Sequence, residues 1–144
     1  MSAEPATGPS AGTDPIGVGD ELPSLEVELT PSFVITAALA SRDLEPVHHD
    51  RSAAEATGMD DVFLNILTTN GLVVRLVTDW AGPDAVVRRS SVRLGVPAVA
   101  GDTLRLTGRI AAIDDGVVVV EVAGRVSGGD HVTGTVEVEP GGGP

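Results

Sequence analysis

The chain has 144 residues, with 21 Asp+Glu against 9 Lys+Arg and a formal net charge of -12, a length that fits one domain or one subunit of an assembly. Its 42% hydrophobic and 21% charged residues are those of a globular protein large enough to bury a core without disulfides or metals. The acidic balance, with no basic stripe, excludes nucleic acid as a partner, and the absence of cysteine excludes disulfides, thiol nucleophiles and zinc-thiolate sites.

Nearly half of the glycines and prolines fall in residues 1–23 and 140–144. Residues 1–21 lack an apolar face that could offset ordering entropy. They are expected to be a disordered tail, and residues 140–144 a flexible one, around a domain at 22–139. The N-terminus shows no cationic stretch followed by an apolar run, so no secretory signal is expected. No stretch is long and apolar enough to span a membrane. The cytoplasm is the expected location.

Leu25 to Leu29 alternates apolar residues with Glu26 and Glu28, the period of a strand wet on one face. After the break Thr30-Pro31-Ser32, the apolar segment Phe33 to Ala40 is expected to be the second strand of a pair. Residues 51–57 suggest a short helix ended by Gly58 and capped by Asp50. The strongest helix runs from Leu64 to Trp80, apolar around so much of its circumference that it should be buried. Gly71 within it would cost about 1 kcal/mol in isolation, which a closely packed sheet at that point would explain. Trp80 is expected to be a core residue at the helix end, and Ala81-Gly82-Pro83 stops the helix.

Four strands follow at Val86–Val96, Thr103–Ile113, Val117–Val126 and His131–Val138. Asp114-Asp115-Gly116 and Ser127-Gly128-Gly129-Asp130 carry hairpin signals. The order predicts two strands, one long helix, then a four-stranded antiparallel meander. A curved sheet wrapped around one helix is the expected α+β, hot-dog arrangement.

Any imidazole chemistry must come from His48, His49 or His131. The segment Arg42-Asp43-Leu44-Glu45-Pro46-Val47-His48-His49-Asp50 places a carboxylate, a proline and an imidazole within a few residues, between predicted elements. Pro46 fixes its own φ and biases Glu45 toward extended backbone. Such a turn can bring Asp43 and His48 to one water, one group activating it and the other handling the proton. By composition alone, an Asp and a His in a loop are more often solvated or capping residues. His49 beside His48 suggests a metal pair, but adjacent side chains diverge and no third ligand is spaced for one, so no metal is expected.

Two motifs tilt the balance. The Asp43-to-His48 stretch resembles the Asp-x-Asn-Pro-x-His signature of the MaoC-like (R)-specific enoyl-CoA hydratases, with Asp43, Pro46 and His48 matching and Ala54 at the later small position. Glu45 replaces the usual Asn, removing an amide donor and adding a charge. Arg93 to Leu104, with Pro97 and Gly101-Asp102-Thr103-Leu104, is similar to a second segment of that family, one shared more widely among hot-dog proteins. Closer likeness to the small catalytic subunit of actinobacterial steroid side-chain hydratases is carried by Val47-His48-His49-Asp50-Arg51, Phe63 to Thr68 and Thr78 to Pro83.

The resemblance implies a hydratase, reversible as a dehydratase, acting on a trans-2-enoyl-CoA, with a steroid side-chain thioester as the closer substrate. It implies Asp43 and His48 as the catalytic pair. A backbone N–H at Asn65 or Ile66 would polarise the thioester oxygen at the helix start, where the family tends to place glycine. The alternative for Asn65 is a helix-start residue bonding its own backbone. No cofactor is implied beyond the coenzyme A of the substrate, whose phosphates Arg88, Arg89 and Arg93 could meet, although arginines on the wet face of a strand are usually just solvated. The implied partner is a second, larger hot-dog subunit lacking the acid–base pair, with a homodimer as the alternative. A hot-dog thioesterase and a non-catalytic subunit that completes a partner's pocket remain the rival functions.

Overall fold

The computed structural model describes residues 15–141. Strand β1 (Leu25–Glu28) leads into helix α1 (Pro31–Ala40), then a single 3-10 turn at Pro46–His48, helix α2 (Arg51–Ala56) and the long helix α3 (Ile66–Ala81). Strands β2 (Val86–Leu94), β3 (Thr103–Asp114), β4 (Val117–Val126) and β5 (Gly129–Glu139) complete the chain.

The expected second strand is helix α1. Thr30 caps it, its hydroxyl accepting from the Phe33 N–H at 3.0 Å, and Pro31 occupies the first turn, where its missing N–H costs nothing. Val34 and Ala38 are buried, while Phe33 and Ile35 pack against the core.

The five strands form one antiparallel sheet in the order β1-β3-β4-β5-β2. Only β3, β4 and β5 make the expected meander. Strand β2 does not pair with β3; it crosses to the far side of β5, where Val92 lies opposite Gly134. The β3–β4 hairpin closes through Asp115 and Gly116, both at positive φ (47° and 79°), the backbone of a primed two-residue turn. Asp102 joins the start of β3 to the β4–β5 turn, accepting from the Ser127 hydroxyl at 2.6 Å and from the Thr103 N–H at 2.8 Å. The Gly101-Asp102-Thr103-Leu104 motif thus has a structural task.

Leu104, Leu106, Ile110, Val118, Val120, Val122, Val132, Val136 and Val138 line the inner face of the sheet. Thr69, Leu72, Val73, Leu76 and Val77 are the buried face of α3. Packing is tight at Gly124, where an added Cβ would lie 2.7 Å from the side chains of both Leu106 and Val132. Trp80 packs on the core from the helix end, part-buried. Helix α3 is buried on one side only, because Ile66 and Leu67 remain 51% and 54% exposed. Gly71 is also exposed, with nothing within 4 Å of where its Cβ would be, so close sheet packing is not its reason.

The domain starts earlier than expected. Gly17 to Asp20 form a turn, the Gly19 N–H donates to the Ile110 carbonyl at 2.8 Å, and Glu21 bridges Arg109. Residues 17–21 therefore extend the β3 edge and belong to the folded body. At the other end, the Gly141 N–H donates to the Ala81 carbonyl at 3.0 Å, so Pro140 and Gly141 close onto the body. The remainder of both expected tails, residues 1–14 and 142–144, lies outside the described residues. Residues 19–22 and β1 lie along β3, and β1 and β2 are the two edge strands of the sheet.

Candidate active site

Helix α1 ends in a Schellman motif that delivers Asp43. The Asp43 N–H reaches back to the Ala38 carbonyl at 2.9 Å, and the Arg42 N–H reaches Leu39 at 3.1 Å. Arg42 sits at φ 57°, the left-handed position where glycine is usual. The chain then runs through extended Glu45 and the Pro46–His48 turn, which points His48 back toward Asp43.

His48 Nε2 lies 3.6 Å from Asp43 Oδ2, with the two side chains 12% and 24% exposed. His48 Nδ1 is 2.8 Å from the Phe63 carbonyl. A carbonyl only accepts, so Nδ1 carries a proton, and in the neutral ring Nε2 presents its lone pair toward the carboxylate. At 3.6 Å neutral imidazole and carboxylate make no direct hydrogen bond. The arrangement suits a water held by both. The Phe63 ring meets His48 edge-on with centroids 5.0 Å apart, which fixes the imidazole from a second side.

Phe63 lies just upstream of α3, separated from it by Leu64 and Asn65. The Leu64 N–H donates to Ala98 at 3.0 Å and the Ala100 N–H to Val62 at 2.9 Å. This short bridge pins residues 62–64 to the loop after β2. Asn65 is the N-cap residue by backbone, its carbonyl accepting from Thr69. Its side chain makes no cap bond, so bonding to its own backbone is not its role. The amide nitrogen donates to Ser41 Oγ at 2.8 Å, and the amide oxygen accepts from Thr68 Oγ1. The N–H groups of Asn65, Ile66, Leu67 and Thr68 find no acceptor among the described residues. Unpaired donors at the positive end of a helix favour a developing anion.

The remaining candidates separate. Arg88 is held by both carboxylate oxygens of Glu139 at 2.8 Å, so its guanidinium is occupied. Arg89 and Arg93 have no carboxylate within 4 Å among the described residues. They alternate with Ser90, which bonds Asn70 of α3 at 2.7 Å, and Val92, which packs on the core. They therefore face away from the helix. His49 Nε2 donates to the Leu44 carbonyl at 3.0 Å, and no cluster of three metal-ligating side chains occurs among the described residues. Asp50 caps α2 through the Ser52 and Ala53 N–H groups.

A concavity of about 710 Å³ opens on the outer sheet face, between Arg105, Arg109, Glu121 and Thr135. Neither Asp43 nor His48 lines it, and its two arginines are paired to Glu26 and Glu121. Side-chain chemistry, not size, marks the site. Sequence reasoning missed Ser41, Thr68 and the Phe63 carbonyl. No short motif signals a carbonyl that orients a histidine fifteen residues away.

A curved antiparallel sheet around one long helix, with a carboxylate–imidazole pair beside the helix start, defines a hot-dog protein of the hydratase type. Residues 18–132 match the MaoC like domain, and the chain belongs to that family. It is 51% identical over 121 residues to the 3-oxo-4,17-pregnadiene-20-carboxyl-CoA hydratase beta subunit of Mycobacterium tuberculosis, covering 84% of this chain and 94% of that protein. It superposes on a chain of the ChsH1-ChsH2 complex from Mycobacterium tuberculosis with a TM-score of 0.85 at 50% identity, covering 87% of this chain and 98% of that one. The (R)-hydratase of A. caviae involved in PHA biosynthesis shares the fold, with a TM-score of 0.80 at 20% identity over 88% of this chain and 98% of that one.

Proposed function

We propose that this chain is the catalytic subunit of a heteromeric enoyl-CoA hydratase acting on a steroid side-chain CoA thioester. The observation that carries it is the Asp43–His48 pair at 3.6 Å, with Nδ1 committed to the Phe63 carbonyl. A water held between Nε2 and the carboxylate attacks C3 of the trans-2-enoyl thioester. As its oxygen bonds C3, the water gives a proton to the pair and charge moves onto the thioester oxygen. The Asn65 or Ile66 N–H stabilises that enolate. The pair then returns a proton to C2, so water has been added and nothing else is consumed. Each step is reversible, which makes dehydration the same mechanism run backwards.

The reading needs no metal or cofactor, since coenzyme A enters as part of the substrate. Of the three arginines it keeps Arg89 and Arg93 as phosphate contacts across the β2 edge. The steroid substrate and the heteromeric state are supported by the relative of that name and by the likeness to a two-protein complex. The β2 edge and the half-exposed Ile66 and Leu67 offer such a partner its contact. A cytoplasmic location follows from the substrate class, because charged CoA thioesters do not cross membranes unaided.

The test is mass spectrometry of enoyl-CoA substrates of graded bulk, with this chain alone and co-expressed with a second hot-dog subunit. A gain of one water, largest for bulky acyl groups and dependent on the partner, is the expected result. Release of free coenzyme A would establish a thioesterase instead. Full activity of the complex carrying Asp43→Asn would move the chemistry to the partner and leave this chain a structural subunit.

A further inference from the structure

Asn65 is 1% exposed, and its side chain bonds in an unusual direction for a helix N-cap. Asparagine at that position ordinarily accepts from the N–H groups of its own first turn. Here the amide nitrogen donates to Ser41 Oγ at 2.8 Å, and the amide oxygen is occupied by the Thr68 hydroxyl. Ser41 is the residue on which α1 ends, and its hydroxyl donates to the Ala37 carbonyl at 2.7 Å. One residue later Arg42 holds a left-handed conformation, and Asp43 follows. A non-glycine residue persists there only where the surroundings hold it, and the Asn65–Ser41 bond is a fastening at that place.

We propose that the Asn65 side chain is a positioning residue: by bonding Ser41 instead of capping its own helix, it locks the Asp43 turn to the start of α3 and leaves the first N–H groups of that helix free for the thioester oxygen. Residues 63–65 then set both members of the pair. The Phe63 carbonyl fixes the His48 ring, and the Asn65 amide fixes the helix end that carries Asp43. The inference rests on the hydratase reading for its effect on rate, but the tie itself is a property of the fold.

The experiment uses the full chain, free for hydrogen exchange and with its partner subunit for kinetics. Asn65→Gly keeps every backbone donor, since glycine is tolerated at an N-cap, and removes the tie together with the Thr68 contact, whereas Ser41→Ala removes the tie and leaves that contact in place. Misplacing a catalytic group by 1 Å can cost about 10²-fold. A partial loosening is expected to lower kcat about 10-fold, with KM changed less than about threefold. Ser41→Ala should give the same split from the other end of the bond, and the double variant should be no slower than either single one. Exchange of the amides at 42–44 should accelerate in Asn65→Gly, while those of β4 stay protected.

Unchanged exchange at 42–44 would overturn the proposal whatever the kinetics. So would kcat within twofold of the parent, or losses that simply multiply in the double variant. Faster exchange in Asn65→Gly, together with a parent complex that hydrates no enoyl-CoA, would leave the tie standing and remove the hydratase reading instead. Should Asn65→Gly not fold, Ser41→Ala carries both measurements.

Discussion

His48 and His131 are held alike at one nitrogen and oppositely at the other. In both, Nδ1 donates to a backbone carbonyl, Phe63 at 2.8 Å and Val96 at 2.7 Å. Nε2 of His131 is then closed off by the Thr69 hydroxyl at 2.8 Å, and the residue is 3% exposed. Nε2 of His48 meets a carboxylate at 3.6 Å beside solvent. Burial holds His131 below the ordinary imidazole pKa, although the Val96 carbonyl opposes this. One ring is a fully satisfied polar strut between β5, α3 and the loop after β2. The other is oriented by the same device and left with a nitrogen that faces a carboxylate and has no hydrogen-bond partner in reach, as the proposed proton transfer requires. A shared anchoring mode thus says little about role; the second nitrogen decides it.

The largest effect that could break this comparison is on rate at the open histidine. Asp43→Asn and His48→Ala, assayed with the partner subunit present, should each lower turnover by about 10²–10⁴. Neither should shift the melting temperature much, because both side chains are partly solvated and outside the core. Folded variants with near-parental turnover would refute the assignment.

At the closed histidine the expectation inverts. His131→Ala leaves the buried Thr69 hydroxyl and the Val96 carbonyl without their partner and opens a void. Together these should cost about 2–4 kcal/mol of stability. Denaturant unfolding measures it. The activity of the fraction that remains folded should fall far less than in His48→Ala.

Acidification sharpens the same contrast. The folded-state pKa of His131 lies below its unfolded value near 6.5, so the unfolded chain takes up the proton first. The stability from this group is present above about pH 6.5 and is lost as pH falls toward the lowered value, by at most about 1.4 kcal/mol per pH unit. Melting temperature measured from pH 7.5 to 5.5 should fall less steeply in His131→Gln than in the parent. An identical slope would show that His131 does not titrate differently on folding.

How far the sequence foretold this architecture varies by region. Alternation over β3 and the Asp114-Asp115-Gly116 turn signal made the central hairpin legible, because each signal is local. Helix α1 was misread because Phe33-Val34-Ile35 has strand character, although Thr30 and Pro31 carry the helix-start signals of a cap and a first-turn proline. The position of β2 was illegible from pattern alone. Pairing with β5 instead of β3 is a long-range choice, and the only local hint is the absence of a short hairpin turn between Leu94 and Thr103. Asp43 and His48 stood out through Pro46 and the family motif. Asn65 was noticed for its backbone, yet its bond to Ser41 spans 24 residues and two helices, and no spacing rule reaches that far.

The smallest expected effect concerns the backbone strain beside the site, of the kind that Asp115 also bears in the β3–β4 turn. Arg42 occupies left-handed backbone at φ 57°, a conformation that costs an L-residue with a Cβ roughly 1–2 kcal/mol. Glycine removes that cost but has more freedom to lose on folding, about 0.5–1 kcal/mol. The difference leaves Arg42→Gly stabilising by about 0.5–1 kcal/mol, since the exposed guanidinium has no carboxylate partner among the described residues. A rise of a few degrees in melting temperature is expected. A fall would mean that the Arg42 side chain holds the turn by a contact stronger than the strain it bears, placing the stability of the Asp43 turn in that guanidinium instead of in the backbone bonds to Ala38 and Leu39.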